Sequence, residues 1–200
     1  MTGDRPPLVL YSASPRRRAL LERIGIPLIP VPVDADEEIP PDRTAPAAAR
    51  LIAVRKLEAG EAHHPRQASH WRLAADTLVE GPDGPMGKAL DAEEAAGMIR
   101  SLSGRSHWVH SAFAVRAPDG DEPAAPVCEV HSTRVVFRRL DVSEVDAYIA
   151  AGEWRGAAGA YRIQESAELF VSRIEGLWST VVGLPLGPLC GILSQMSYPM

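Results

Sequence analysis

Apolar and polar positions run in blocks along this chain, and the period of each block predicts its element. Leu8-Val9-Leu10-Tyr11 is a continuous apolar run of strand length. Ser12-Ala13-Ser14-Pro15 ends it, and Leu20, Leu21 and Ile24 then lie on one side of a helix closed by Gly25. Ser14 suits the N-cap and Pro15 the first helical position. Leu28 to Val33 reads as extended. The acidic run Asp34-Ala35-Asp36-Glu37-Glu38 and the Pro40-Pro41 break follow. A second helix is expected from about Thr44 to Ala62, its turns traced by Ala48, Leu51, Val54 or Arg55, and Glu58. Lys56 falls one turn after Ile52, so its stem is expected along the apolar border with the amine reaching out.

Trp71 to Glu80 reads as a strand, with Gly81-Pro82-Asp83-Gly84-Pro85 as a turn leading to Met86-Gly87-Lys88. Asp91-Ala92-Glu93-Glu94 has capping-box spacing, and Ala95, Met98, Ile99 and Leu102 form the inner side of a third helix stopped by Gly104. His107 to Val115 is extended, 118–123 is a loop, and Val127 to Leu140 is a long strand with Val135 and Phe137 on one face. Asp141-Val142-Ser143-Glu144 opens a fourth helix that ends at Gly152. Gly156 to Gly159 is small, Leu169 to Ile174 is a strand, and Leu184 to Leu193 is a closing helix. Two successive strands between 107 and 140 imply an antiparallel pair, so uniform β-α-β winding fails. The class is α/β: a mixed sheet with flanking helices, one domain over residues 1–200, with two lobes around a cleft.

Composition narrows the partners. The 200 residues are 46% hydrophobic and 24% charged, which suits a packed soluble domain. A net charge of −5 argues against non-specific nucleic-acid binding but leaves room for a local basic pocket. No apolar stretch has spanning length, and the first apolar run is too short for a secretory signal. Cys128 and Cys190 lack C-x-x-C spacing and read as reduced, buried thiols of a cytoplasmic protein. His63-His64 reads as a solvated helix end rather than a metal site.

Several polar residues sit where stability alone does not ask for them. Arg16 and Arg17 fall in the first turn of the first helix, where positive charge opposes the helix dipole. A bound phosphate at that N-terminus reverses the sign of the effect; the alternative is a pair of solvated surface arginines. Asp76 stands among apolar strand residues, Leu73-Ala74-Ala75-Asp76-Thr77-Leu78-Val79, where a carboxylate is costly unless paired, hydrogen-bonded or metal-bound. It either works on a substrate or caps a strand bend. Glu37 is a hard oxygen ligand suited to Mg²⁺ or Mn²⁺, or else part of a solvated loop. Lys56 and Lys88 alone carry no signal. Gly81 to Ala89 imitates a phosphate loop, but Pro82 and Ala89 stand where the Walker pattern needs Gly and Ser or Thr. No G-x-S-x-G is present, so Ser12 and Ser14 are not read as nucleophiles.

Taken in order, these segments resemble the Maf family of nucleoside triphosphate pyrophosphatases. The resemblance spans nearly the whole chain: SASPRRRALLERIGI, the acidic Asp34-Ala35-Asp36-Glu37, Arg55-Lys56-Leu57-Glu58-Ala59, Ala75-Asp76-Thr77, Gly87-Lys88, Leu102-Ser103-Gly104-Arg105-Ser106-His107, Gly159-Ala160-Tyr161-Arg162-Ile163-Gln164 and Val182-Gly183-Leu184-Pro185-Leu186. It implies an elongated mixed sheet like that of inosine triphosphate pyrophosphatase. It also implies cleavage between the α- and β-phosphates with a divalent cation, Mg²⁺ or Mn²⁺. Asp76 is then the proton acceptor and, with Glu37, a metal ligand. Ser12, Arg16, Arg17, Lys56 and Lys88 line the polyphosphate site. Arg16, Thr77 and Gln164 match the subgroup that acts on dTTP and UTP, with modified pyrimidine nucleotides as further substrates. A Gln amide offers both the donor and the acceptor that the uracil or thymine edge requires. The chain departs from the subgroup's glycine-rich run around Gln164, placing Arg162, Glu165, Ser166 and Ala167 there. A homodimer is implied at family level only. The alternative function is a non-hydrolysing nucleotide-binding regulator of cell division.

Overall fold

The computed structural model describes residues 5–40, 42–120 and 124–200; Pro41 of the expected break and 121–123 of the expected loop lie outside them. In chain order the elements are β1 (Leu8–Tyr11), α1 (Pro15–Arg23), β2 (Leu28–Pro30), α2 (Ala45–His63), β3 (Trp71–Gly81), β4 (Gly84–Met86), α3 (Ala92–Leu102), β5 (Ser106–Arg116), β6 (Val127–Phe137), α4 (Val142–Ala151), β7 (Val171–Glu175), α5 (Trp178–Val182) and α6 (Leu186–Gln195). Hydrogen bonding orders the strands β2-β1-β3-β5-β6-β7, with β4 paired to β3. The β1 strand is parallel to both β2 and β3, whereas β3–β4 and β6–β7 are antiparallel, so the sheet is mixed as expected.

The chain divides into two compact units. The first holds Met1–Asp76, Ser111–His131 and Gly183–Met200. Its centre is β1, whose four residues are all fully buried. A continuous apolar run is what a parallel strand covered on both faces requires. Pairing sets Val9 opposite Arg72 and Tyr11 opposite Ala74. Asp76 lies two residues past Ala74, so Arg72, Ala74 and Asp76 share one face of β3. Against the first unit's core α2 buries Ala48, Ala49, Ile52, Ala53, Lys56, Leu57 and Gly60. That face is displaced from the expected one: Leu51, Val54 and Arg55 are only half-buried and Glu58 is exposed. Gly60 explains the rotation. A Cβ there would fall 2.4 Å from Tyr11 Cγ, so the glycine lets the helix backbone lie on the tyrosine ring. The second strand stops at Pro30 rather than Val33, since Pro30 and Pro32 cannot donate to a ladder.

The second unit holds Thr77–His110 and Ser132–Val182. Its core joins Ile99 and Leu102 of α3, Val109, Val135, Phe137, Val145 and Tyr148. Asp91 caps α3 by accepting from the Glu94 N–H at 2.9 Å, but the Glu94 carboxylate accepts from Leu90 N–H instead of closing the expected box. Ala96 is buried where Met98 was expected. Asp141 and Glu144 do form a reciprocal capping box, and Gly152 ends α4 in the left-handed region at φ 74°. The sixth strand ends at Phe137, three residues early, because Arg138 turns to pair with Glu144. The strand expected from Leu169 begins at Val171, because Leu169 and Phe170 close a 3-10 helix over Ser166–Phe170 that seats Phe170 against Phe137 and Tyr148. The short α5 was not anticipated, and α6 begins at Leu186. Both cysteines are free and half-buried rather than buried.

Candidate active site

Three segments of the first unit converge on one ammonium group. Lys56 Nζ lies 2.6 Å from Asp76 Oδ1 and 2.7 Å from Glu37 Oε1. The side chains of Lys56 and Asp76 are only 10% and 9% exposed, and Glu37 closes the group from the solvent side at 47%. Lys56 therefore does not reach outward as its helical position suggested. A buried carboxylate needs a partner, and α2 supplies it from the turn beneath Gly60. The next turn repeats the arrangement with opposite sign. Glu61 lies 3.5 Å from Arg72, and Arg72 also donates to the Ala117 carbonyl at 2.6 Å and to the Asp119 carboxylate. Two ion pairs of reversed polarity, with the Tyr11–Gly60 contact between them, thus set α2 against β3. Beside them, Asp36 pairs with Arg55 at 2.9 Å, which ties the acidic segment to α2.

The start of α1 forms the second part of the site. Ser14 Oγ accepts from Arg17 N–H at 3.4 Å, and Pro15 occupies the first helical position, as the sequence predicts. Ser12 Oγ accepts from Ser14 N–H at 3.2 Å and from Arg17 Nη1 at 3.1 Å. Arg17 Nε donates to the Gly183 carbonyl at 2.9 Å. Arg17 is thus buried and internally engaged, Arg16 is half-buried, and Arg18 points outward to pair with Glu22. No acidic residue offsets the helix's positive end in its first turn. Burial lowers the Arg17 guanidinium from its ordinary range, and the Asp76 and Glu37 carboxylates push it back up. Arg17 therefore lies in the field of the acidic pair.

Thr77, Lys88 and Gln164 belong to the second unit. Thr77 directly follows Asp76 on β3 and is half-buried. The β3–β4 hairpin turns at 82–83 and delivers Lys88, which is exposed and bridged through its backbone to Ala158. This is the hairpin reading of the segment that mimics a phosphate loop. Gln164 is half-buried, and its Oε1 is buried with no hydrogen-bond partner among the described residues. An unmet acceptor of that kind is expensive unless a ligand supplies the donor.

Three further residues carried no role in the sequence. The Gly183 carbonyl holds Arg17, which explains why a late motif matters to the first helix. Gly60 fixes the depth of α2. His107, buried, hydrogen-bonds Tyr161 Oη at 2.8 Å, joining two motifs that lie 54 residues apart. Burial lowers the His107 pKa to about 4 and raises that of Tyr161. Gly183 and His107 lie inside the quoted motifs, whereas no sequence signal pointed to Gly60.

Among the described residues no group of three or more His, Cys, Asp or Glu side chains forms a metal cage. The acidic pair still fits a hard divalent cation. Mg²⁺ is commonly held by one or two carboxylates together with substrate phosphates and water. Glu37 and Asp76 supply two such carboxylates around one point already occupied by a cation, the Lys56 ammonium. No helix among the described residues is long and apolar enough to cross a membrane.

Comparison with known proteins finds relatives that match along nearly the whole chain. A dTTP/UTP pyrophosphatase of Agrobacterium fabrum is 41% identical, covering 97% of this chain and 94% of its own length. The dTTP/UTP pyrophosphatase of Thermus thermophilus is 40% identical, with 96% of each chain covered. That of Hyphomonas neptunium is 40% identical over 99% of each. Among solved structures, a HAM1 protein from Coxiella burnetii is similar at a TM-score of 0.49 and 16% identity, covering 95% of this chain and 99% of that one. The family model described as Maf-like protein matches residues 7–196, which include every element from β1 to α6, and the chain belongs to the Maf family.

Proposed function

We propose that this chain is a nucleotide pyrophosphatase that hydrolyses dTTP and UTP between the α- and β-phosphates, releasing the monophosphate and pyrophosphate. The observation that carries the reading is the Glu37–Lys56–Asp76 group, a buried acid held within reach of a cation and a second acid. Full-length relatives at about 40% identity bear the name dTTP/UTP pyrophosphatase, which supports the substrate class.

In this reading Asp76 accepts the proton of the attacking water, and no covalent enzyme intermediate is needed. Lys56 keeps the Asp76 carboxylate oriented before substrate arrives. The positive end of α1 with Arg16 and Arg17, together with Lys56 and Lys88, binds the triphosphate and offsets the charge that develops on the pyrophosphate leaving group. Ser12 fixes the Arg17 guanidinium rather than attacking. Glu37 and Asp76 would hold Mg²⁺ or Mn²⁺. Bound there, the cation would polarise a phosphoryl oxygen and ease deprotonation of water. Thr77 and Gln164 belong to base selection: the unmet Gln164 Oε1 accepts a hydrogen bond from a donor such as the uracil N3–H, and its amide NH₂ donates to O4.

The test is a panel of nucleoside triphosphates with purified protein and Mg²⁺ or Mn²⁺. The expected products are monophosphate and pyrophosphate, fastest from dTTP or UTP. Orthophosphate as the first product contradicts the bond assignment. Tight binding without turnover favours the regulatory reading instead.

A further inference from the structure

The Lys56 ammonium holds the same two carboxylates that suit a divalent ion. Its Nζ donates to Asp76 Oδ1 at 2.6 Å and lies 2.7 Å from Glu37 Oε1. Two carboxylates carry two negative charges; an ammonium matches one of them, and a divalent ion matches both. The two cations do not share such oxygens at close range. Like charges repel there, and beside the buried Lys56 and Asp76 water screens them little. Occupation by Lys56 and occupation by Mg²⁺ or Mn²⁺ are therefore alternatives.

The surroundings suit an exchange of one cation for the other. Lysine carries its charge on a flexible four-carbon stem, so the ammonium can move off while α2 stays where Ile52, Ala53, Leu57 and Gly60 bury it. Glu37 has an anchor of its own. Arg55 Nη1 donates to the Glu38 carbonyl at 3.2 Å and pairs with Asp36 at 2.9 Å. The Asp36 carboxylate in turn accepts from the Glu38 N–H at 2.9 Å. Both chain neighbours of Glu37 thus stay tied to α2 when Lys56 lets go, and Asp76 is fixed within β3. Once displaced from the acids, the ammonium is available to a phosphate oxygen.

We propose that Lys56 is a place-holder cation: it keeps Glu37 and Asp76 together until a divalent ion takes the same two carboxylates, and it competes with that ion for them. The proposal rests on the pyrophosphatase reading above, which gives the acidic pair its metal.

Binding of Mn²⁺ alone, without nucleotide, tests it. Loss of the free Mn²⁺ electron paramagnetic resonance signal gives the affinity of the wild type, Lys56→Met, Lys56→Gln and Lys56→Arg. Lys56→Met and Lys56→Gln should bind Mn²⁺ at least about ten-fold tighter than the wild type, the scale of removing one like charge from contact range even at the dielectric of water. Lys56→Arg keeps a cation and should bind no tighter than the wild type. Adding Glu37→Gln to Lys56→Met should abolish the gain, because the ion then loses one of its two carboxylates. Mn²⁺ should also raise the melting temperature of Lys56→Met more than that of the wild type, since the ion stands in for the missing charge. Unchanged Mn²⁺ affinity in both uncharged variants overturns the proposal, as does a gain that survives Glu37→Gln. If neither uncharged variant folds and Mn²⁺ restores neither, the ion does not replace the ammonium and the proposal fails as well. None of these measurements needs turnover; absence of UTP hydrolysis by the wild type would instead overturn the pyrophosphatase reading.

Discussion

Lys56 Nζ stands 2.6 Å from Asp76 Oδ1, one buried cation against one buried anion, with Glu37 Oε1 2.7 Å from the same nitrogen. Removing either partner has different consequences. Asp76→Asn leaves Lys56 paired to Glu37 and keeps the shape of the site. It should fold normally and lose about 10²–10⁴-fold in kcat, the scale of a missing general base. Lys56→Met strands a buried carboxylate and should destabilise the protein by about 3–5 kcal/mol. Urea denaturation of both, with pyrophosphate release as the activity measure, checks the pair. A fully active Asp76→Asn variant removes Asp76 from its role.

Gly60 is the second lever on the same pair. Its missing Cβ lets α2 rest on the Tyr11 ring, which is wholly buried. Gly60→Ala should cost about 1–3 kcal/mol through overpacking, despite alanine's better helix propensity. Because Lys56 lies one turn before Gly60, the displaced helix should also lower kcat. In a Tyr11→Leu background the ring is absent, and the same Ala should cost less. A double-mutant cycle measures this directly, and additive effects would show that the contact does not set the helix position.

Gly183 joins the C-terminal part of the chain to the N-terminal end of α1. It sits at φ 125°, which side chains avoid, and its carbonyl accepts from Arg17 Nε. Gly183→Ala should cost about 1–3 kcal/mol in backbone strain. The carbonyl must shift, so Arg17 loses a fixed partner and KM for nucleotide should rise more than kcat falls. An unaltered KM would detach Gly183 from substrate binding.

The legible parts of this fold were those written in local patterns. The first strand, the Ser14-Pro15 helix start, the start of the fourth helix at Asp141 and the hairpin at 82–83 each depend on residues within a few positions of one another, and each appears as expected. The inner face of α2 did not follow, because Gly60 and Tyr11 decide its rotation from 49 residues apart. The 3-10 turn at 166–170 likewise answers to Phe137, Tyr148 and Glu153 rather than to its own propensity. For the site, a lone Asp in an apolar strand was a strong signal, and it called for a pairing, a hydrogen bond or a metal. Which partner remained open, since Lys56 looked like an ordinary surface lysine until its helix was placed. The roles of Gly183 and His107 are long-range hydrogen bonds, which leave no periodic trace.

His107 makes stability depend on pH in a predictable direction. Burial lowers its pKa from 6.5 to about 4, so it stays neutral in the folded protein where the unfolded chain already takes up a proton. A group with a depressed basic pKa favours folding fully above the unfolded value. That contribution is lost as pH falls from about 6.5 toward 4. The shift corresponds to about 3 kcal/mol. Protonation also puts charge among Phe137 and Tyr161, which pack edge-on against the imidazole at 5.0 and 5.4 Å, so the second unit should loosen first. Urea midpoints for the wild type should drop between neutral pH and about pH 4.5. His107→Gln has no titrating ring: it should be less stable at neutral pH but vary less with acidification. If the variant and the wild type lose stability in parallel, the acid response comes from the carboxylates and not from this histidine.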